Sequence, residues 1–151
     1  MVVIDGNNVA YSRKLHGKPM VENIEIAIKY FEPKTVVDIF VTTYLAKFIN
    51  NLSIFRNLVN QGVINEVPHT VDDDKVILKF AYDYDDYIVS NDKFRNHKEY
   101  SVEWIKNHRI GFSIRKNIFH IDRKIESYNM KRMTRMFSKK QVDSGIMEEL
   151  N

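Results

Sequence analysis

Apolar residues along the chain follow two different periods. Four short runs are dense in apolar, largely β-branched side chains, which is typical of buried strands: residues 1–5, 35–43, 63–67 and 87–89. Three longer segments repeat apolar side chains every three or four positions, which predicts amphipathic helices: residues 21–31, 52–59 and 76–84. Because strands alternate with helices, the pattern predicts an α/β fold with a central, mostly parallel sheet flanked by helices on both faces.

Turn-forming and capping residues suggest where these elements begin and end. Gly6 directly after Asp5 predicts a loop behind the first strand. Residues 72–74 are three aspartates that open the third helix, where carboxylates are favourable beside unpaired amides. A further helix around Trp104 and extended segments at 110–114 and 118–121 follow. We therefore expect one domain over residues 1–121.

Composition narrows the class of protein. The 151 residues contain no cysteine, which excludes disulfides, thiolate chemistry and cysteine-ligated zinc. No apolar stretch approaches the roughly 18 residues that a membrane span needs. Met1 leads straight into an apolar run and Asp5, without a basic segment of the kind that opens a signal peptide. We therefore expect a cytoplasmic protein with no membrane partner.

Basic residues are concentrated near the carboxyl end. Residues 123–140 hold seven basic side chains against one acidic one, so the rest of the chain is net acidic although the whole carries +3. Within this segment the apolar residues lie roughly on one helical face: Ile125, Tyr128, Met133, Met136 and Phe137. We predict a basic amphipathic helical extension over residues 122–151, which would pack on the domain, form a homodimer or bind RNA.

Three carboxylates from distant positions are expected to meet. Asp5 ends the first strand, Asp92 follows the strand at 87–89, and Asp74 lies at the start of a helix. Ligands of parallel sheets bind beyond the carboxyl ends of the strands. Such a cluster is repulsive unless a cation neutralises it, and oxygen ligands suit Mg²⁺ or Mn²⁺. Taken singly, each aspartate also fits a plain turn or a helix N-cap.

Other catalytic motifs are missing from the sequence. There is no Gly-x-Gly-x-x-Gly, no Gly-x-x-x-x-Gly-Lys and no Gly-x-Ser-x-Gly. A phosphatase of the haloacid dehalogenase kind would carry a second aspartate where this chain has Asn7. The five histidines are scattered without a His-x-x-x-His pair, which favours a surface or core role for each.

Three motifs in order resemble those of NYN-domain ribonucleases, close to the CCCH zinc-finger group called Regnase or MCPIP. They are VVIDGNNVA at 2–10, DDKVILKFA at 73–81 and VSNDKFR at 89–95. Trp104 and residues 109–121 resemble the segment that follows the third motif. The resemblance implies a three-layer, PIN-like (Rossmannoid) fold for residues 1–121. Because these 151 residues contain no cysteine, we expect no zinc finger of that kind within them.

The resemblance also implies an activity and its residues. It implies an endoribonuclease, dependent on Mg²⁺ or Mn²⁺, that hydrolyses phosphodiester bonds of single-stranded or loop RNA. The implied catalytic residues are Asp5, Asp74, Asp92 and Asn8, with Asn8 positioning substrate or water and Asp73 as a near neighbour. The implied metal ligands are Asp5, Asp74, Asp92 and Asn96.

One departure from the family pattern leaves a second function open. The resembling enzymes generally carry an aspartate where this chain has Asn96, whose amide oxygen can ligate a metal but brings no charge. The alternative function is therefore a catalytically weak or inactive RNA-binding or assembly module of the same fold. In either case, four basic residues near the expected site are candidates for RNA binding: Arg13, Lys14, Lys93 and Arg95.

Overall fold

A computed structural model describes residues 1–122, so the predicted basic extension and its proposed roles lie outside the described residues. Strands and helices alternate in the described part. In chain order they are β1 (Val2–Asp5), α1 (Gly6–Tyr11), β2 (Lys14–Leu15), β3 (Lys18–Pro19), α2 (Val21–Phe31), β4 (Val37–Thr42), a 3-10 helix (Thr43–Lys47), α3 (Leu52–Asn60), β5 (Ile64–Val67), α4 (Asp73–Tyr84), β6 (Tyr87–Val89), α5 (Val102–His108), β7 (Arg109–Ile110), β8 (Phe112–Arg115) and β9 (Ile118–Ile121).

Five strands form one parallel sheet in the order β5-β4-β1-β6-β7. This confirms the predicted parallel α/β architecture. The strand β1 lies at the centre, where Val2 to Ile4 are fully buried. Two antiparallel hairpins, β2–β3 and β8–β9, lie outside this sheet.

Helices cover both faces of the sheet, which makes the predicted three layers. Successive strand residues point to opposite faces. Ile4 therefore packs in one core with Ile24 and Phe31 of α2, whereas Val3 packs in a second core with Ile77 of α4. No helix within residues 1–122 is long and apolar enough to cross a membrane.

The loop predicted after the first strand is wrong, because α1 begins there at once. The carboxylate of Asp5 accepts a hydrogen bond from the backbone N–H of Asn8 at 3.2 Å and so caps the helix. Asn7 fastens the same turn to β4: its side chain donates to Thr42 Oγ1 at 2.9 Å and accepts from the Thr42 backbone at 3.0 Å. The residues Gly6, Asn7 and Asn8, which are typical of turns, form the first turn of α1.

Gly6 allows α1 to lie directly against β4. A Cβ atom at this position would stand 2.8 Å from the carbonyl oxygen of Phe40 and would overlap Cγ1 of Val41. The obstacle is backbone, which cannot move aside as a flexible side chain can. The close contact holds the start of α1, and with it Asp5, in place.

We predict that Gly6→Ala destabilises the fold by about 1–3 kcal/mol, the usual range for overpacking a buried position. The measurement is urea unfolding in the presence of chelator. Gly111→Ala is the matched control, since its nearest obstacle, the Arg109 guanidinium at 3.2 Å, is the end of a long side chain and not backbone. Equal midpoints for Gly6→Ala and wild type would contradict the close packing described here.

Candidate active site

Three elements converge at one edge of the sheet. The adjacent parallel strands β1 and β6 end there, the first with Asp5 and the second with the loop that carries Asp92. Asp5 lies two residues after Val3, which packs against α4. The first turn of α4 supplies Asp73 and Asp74. The fold therefore brings these carboxylates to the same edge of the sheet, where Asp74 interacts electrostatically with both Asp5 and Asp92.

Hydrogen bonds tie the loop after β6 to β1 and α1. The buried Ser90 hydroxyl donates to Asp5 Oδ2 at 2.9 Å and accepts from the backbone N–H of Asp92 at 3.1 Å. The Asn8 side-chain oxygen accepts from the backbone N–H of Asn91 at 2.9 Å. Asn8 and Ser90 are therefore positioning residues, because they set where Asp5 and Asp92 stand relative to each other.

Asp5 is held in an unfavourable place for a charge. Its side chain is only 3% exposed, and burial is the main cause that raises its pKa to about 7. The nearby negative charges of Asp74 and Asp73 raise the pKa further, while the hydrogen bonds from Ser90 and Asn8 lower it. The site thus holds a carboxyl group that titrates near neutral pH.

Asp74 is also in an unfavourable place for a charge. Partial burial raises its pKa to about 6, and the charges of Asp73, Asp92 and Asp72 add to the effect. Burial and Asp72 likewise raise the pKa of Asp73. The carboxylates at this edge therefore repel one another, and Asp74 interacts with both Asp5 and Asp92. We call this group, Asp5, Asp72, Asp73, Asp74 and Asp92, the acidic cluster.

One group of candidate metal-ligating side chains differs from the predicted set. Within residues 1–122, ligand atoms of Asp72, Asp74 and His97 all lie within 4.8 Å of one another. Nε2 of His97 is 3.7 Å from Oδ2 of Asp74 and 3.8 Å from Oδ2 of Asp72. Asp5 and Asp92 are not members of this group. Asn96 lines the same open groove as its three members.

His97 was missed by the sequence reasoning, which favoured a surface or core role for each histidine. No spacing motif marks it, since its partners lie more than twenty residues earlier in the chain. A turn places it: the His97 backbone N–H donates to the carbonyl oxygen of Phe94 at 3.1 Å, and Phe94 is buried in the core. His97 is only 9% exposed, and its Nε2 faces Asp72 and Asp74.

The four predicted RNA-binding residues fall in two places. Lys93 and Arg95 are exposed and line cavities beside His97. Arg13 instead donates from Nε to Asn23 and from Nη1 to Asn117, each at 2.9 Å. Lys14 lies in the exposed hairpin β2–β3. The structure thus brings two of the four next to the acidic cluster and engages Arg13 within the protein.

We predict that, in chelator, the free energy of unfolding falls as pH rises from about 4 to about 7. Asp5 and Asp74 have raised pKa values in the folded state, so over this window the folded protein binds more protons than the unfolded chain. Each such proton contributes a slope of at most about 1.4 kcal/mol per pH unit. Asp5→Asn should flatten the slope, whereas Asp83→Asn, an exposed change on α4, should leave it unchanged. Parallel curves for all three proteins, measured by urea unfolding across pH, would contradict the raised pKa of Asp5.

Comparison with known proteins agrees with this fold. The family model of the Zc3h12a-like ribonuclease NYN domain matches residues 1–134. A crystal structure of nuclear proteinaceous RNase P 2 (PRORP2) from Arabidopsis thaliana superposes with a TM-score of 0.68 at 18% identity, over 80% of this chain and 29% of that one. A further structure of the Arabidopsis thaliana nuclear protein-only RNase P 2 gives a TM-score of 0.64 at 17% identity, over the same shares of both chains.

These matches carry different weight. At such identities the structural likeness concerns the fold alone, and the chain spans less than a third of the length of the proteins it superposes on. The family match is of another kind, since it covers most of the chain and includes all three acidic motifs. It confirms the resemblance read from those motifs: the chain belongs to the Zc3h12a-like ribonuclease NYN domain family.

Proposed function

We propose that the protein is a divalent-metal-dependent endoribonuclease that hydrolyses phosphodiester bonds of single-stranded or loop RNA. The observation that carries the proposal is the cluster of mutually repelling carboxylates at the carboxyl ends of β1 and β6, in a chain of a ribonuclease family. Such a half-buried cluster is unfavourable unless protons or a bound cation compensate its charge. The cytoplasmic location expected from the sequence stays a prediction.

The donor set fits a divalent cation. Asp72, Asp74 and His97 would hold it, and their ligand atoms already lie close together. Asp5, Asp92 and Asn96 would add oxygen ligands to the cation or to the water around it. Carboxylates suit both Mg²⁺ and Mn²⁺, whereas an imidazole suits transition metals better, so we favour Mn²⁺ over Mg²⁺. When bound, the cation would polarise the scissile phosphate and neutralise charge that develops during cleavage.

The protein's own side chains are suited to hydrolysis by water. Ser90 is fully buried and its hydroxyl donates to Asp5, so it is not directed at a substrate. Asp5 is oriented by two hydrogen bonds, to Ser90 and to the Asn8 backbone, and titrates near neutral pH. A carboxyl group with these properties is able to accept a proton from an attacking water. Asn8 would keep Asp92 and Asp5 in register during the reaction.

An alternative of another class rests on Asn96. This exposed amide lines the groove of Asp72, Asp74 and His97 without adding charge, so the site has one carboxylate fewer than the family pattern. A catalytically weak or inactive module that binds RNA or assembles with other proteins would tolerate this loss. The two experiments below separate this module from an active enzyme.

We expect Asp74→Asn to reduce metal-dependent RNA cleavage by more than about 100-fold, because even residues one step removed from a metal commonly change activity 10–100-fold. The assay is cleavage of an unstructured RNA in Mn²⁺ or Mg²⁺, with chelator as the blank. Asp83→Asn is the matched control: it lies on the same helix and is ion-paired with Lys79 at 2.9 Å. Full activity in purified Asp74→Asn protein would overturn the assignment of this cluster.

We expect Asn96→Asp to lower the metal concentration that gives half-maximal cleavage, because a carboxylate joins the groove of Asp74 and His97. The same change should lower the melting temperature in chelator, since repulsion increases. Asn57→Asp, on the exposed side of α3, is the control for an added charge. If the wild type is inert and Asn96→Asp cleaves, the binding-module alternative is supported. If neither protein cleaves RNA in either metal, the nuclease proposal fails.

A further inference from the structure

We infer that the RNA strand runs from the acidic cluster along a basic groove to the β8–β9 hairpin, where Arg109 and Arg115 bind its backbone phosphates. The inference rests on the proposed function for the identity of the ligand. It adds a direction to the substrate path and three binding residues outside the sequence motifs: Lys106, Arg109 and Arg115. We define the basic groove by its six cationic lining residues, Lys93, Arg95, Lys98, Lys106, Arg109 and Arg115.

The cavities of the groove lie side by side, because each shares lining residues with the next. The cavity of the acidic cluster shares His97 and Tyr100 with a second cavity of about 260 Å³. This one shares Lys93 and Arg95 with a third, of about 300 Å³. The third shares Lys93 and Arg109 with a fourth, of about 820 Å³, on the hairpin. An extended ligand is thus able to follow one path from the acidic cluster to the hairpin.

Charge changes sign along this path. At the acidic cluster the lining carries three carboxylates, Asp72, Asp74 and Glu99, against two lysines, Lys75 and Lys79. The three cavities beyond it contain the six cations and, among their lining residues within 1–122, a single carboxylate, that of Asp122. A polyanion would therefore be attracted by the groove, while its phosphate at the acidic end would need the cation there.

Hydrogen bonds fix the hairpin relative to the site. Asn91 accepts from the backbone N–H of Phe112 at 2.9 Å and donates to its carbonyl oxygen at 3.0 Å, which joins β8 to the loop that carries Asp92. Arg109 Nη1 donates to the carbonyl oxygen of Ser90 at 3.0 Å. Ser90 also donates to Asp5, so one residue links Asp5 to Arg109, which lines the hairpin cavity. The remaining N–H groups of Arg109 suit a phosphate.

The chemistry of the groove favours a single RNA strand held by its backbone. Lysine and arginine side chains bind phosphates without reading base identity. The two middle cavities, of about 260 and 300 Å³, offer a ligand less room than the fourth, of about 820 Å³. We therefore expect tight, salt-dependent and largely sequence-independent binding of single strands.

Arg115 is the residue to change, because it is exposed at the end of β8 and lines the far cavity. The probe is a fluorescent, unstructured RNA of about 16 nucleotides, bound by the protein in chelator at several salt concentrations. Arg115→Gln should weaken binding and make the slope of log affinity against log salt shallower by about 0.7, the value for one phosphate contact. Lys106→Gln, on the exposed face of α5, should act in the same direction.

Arg56→Gln is the matched control. Arg56 lies on α3 beside β5, at the sheet edge opposite β7, and contacts Glu66 at 3.5 Å. This variant should keep the wild-type slope. When cleavage is assayed with Mn²⁺ or Mg²⁺, Arg115→Gln should raise KM more for this RNA than for an RNA too short to reach the hairpin.

Failure of the groove and failure of the nuclease proposal give different results. Wild-type slopes and KM values in both Arg115→Gln and Lys106→Gln would overturn the groove even if the wild type cleaves RNA. Shallower slopes in the two variants would support the groove even if no protein cleaves. A perfect duplex that binds as tightly as the single strand, with the same dependence on Arg115, would overturn the assignment to a single strand.

Discussion

The buried carboxylate of Asp5 is the constraint on which the rest of the molecule depends. Asp5 ends the central strand β1. Its carboxylate accepts a hydrogen bond from the Asn8 backbone, which caps α1, and another from the Ser90 hydroxyl in the loop after β6. These bonds fasten three elements at one point. The same burial, together with the charges of Asp73 and Asp74, raises the pKa of Asp5 to about 7. The carboxyl group that joins these three elements is therefore also one whose ionised form the fold disfavours.

This tension links stability to the proposed chemistry. A fold optimised for stability alone would replace the repelling carboxylates by neutral groups. Functional sites often keep such carboxylates at a cost in stability. Here the repulsion is kept in place by neutral partners, the Ser90 hydroxyl and the Asn8 and Asn91 amides, which fix positions without cancelling charge. Compensation is left to whatever cation or proton the site takes up. Binding of a cation would thus stabilise the fold as well as prepare the site.

Periodicity predicted most of the fold, because strands and helices that bury a face must repeat apolar residues. The bounds of α2 and β6 agree with the sequence pattern, and the parallel sheet follows from their alternation. The helix α1 escaped because it spans six residues and opens with Gly6 and two asparagines, residues typical of turns. His97 was not predicted as a site residue for a different reason. Its position depends on the burial of Phe94 and on a turn, and no sequence spacing indicates either of them. Local signals predict elements, whereas this part of the site is assembled by packing.

The pairing of Asn96 with His97 offers a physical account of the departure from the family pattern. A fourth carboxylate at position 96 would join a groove in which Asp72 and Asp74 already repel each other, next to a substrate that is itself an anion. An amide followed by a buried imidazole offers donor atoms at the same place with less negative charge. On the proposed function, affinity for a cation would then come from the kind of ligand more than from charge, because imidazole nitrogen binds transition metals well. A less acidic centre also opposes the approach of phosphates less strongly, which suits a site whose neighbouring groove is basic.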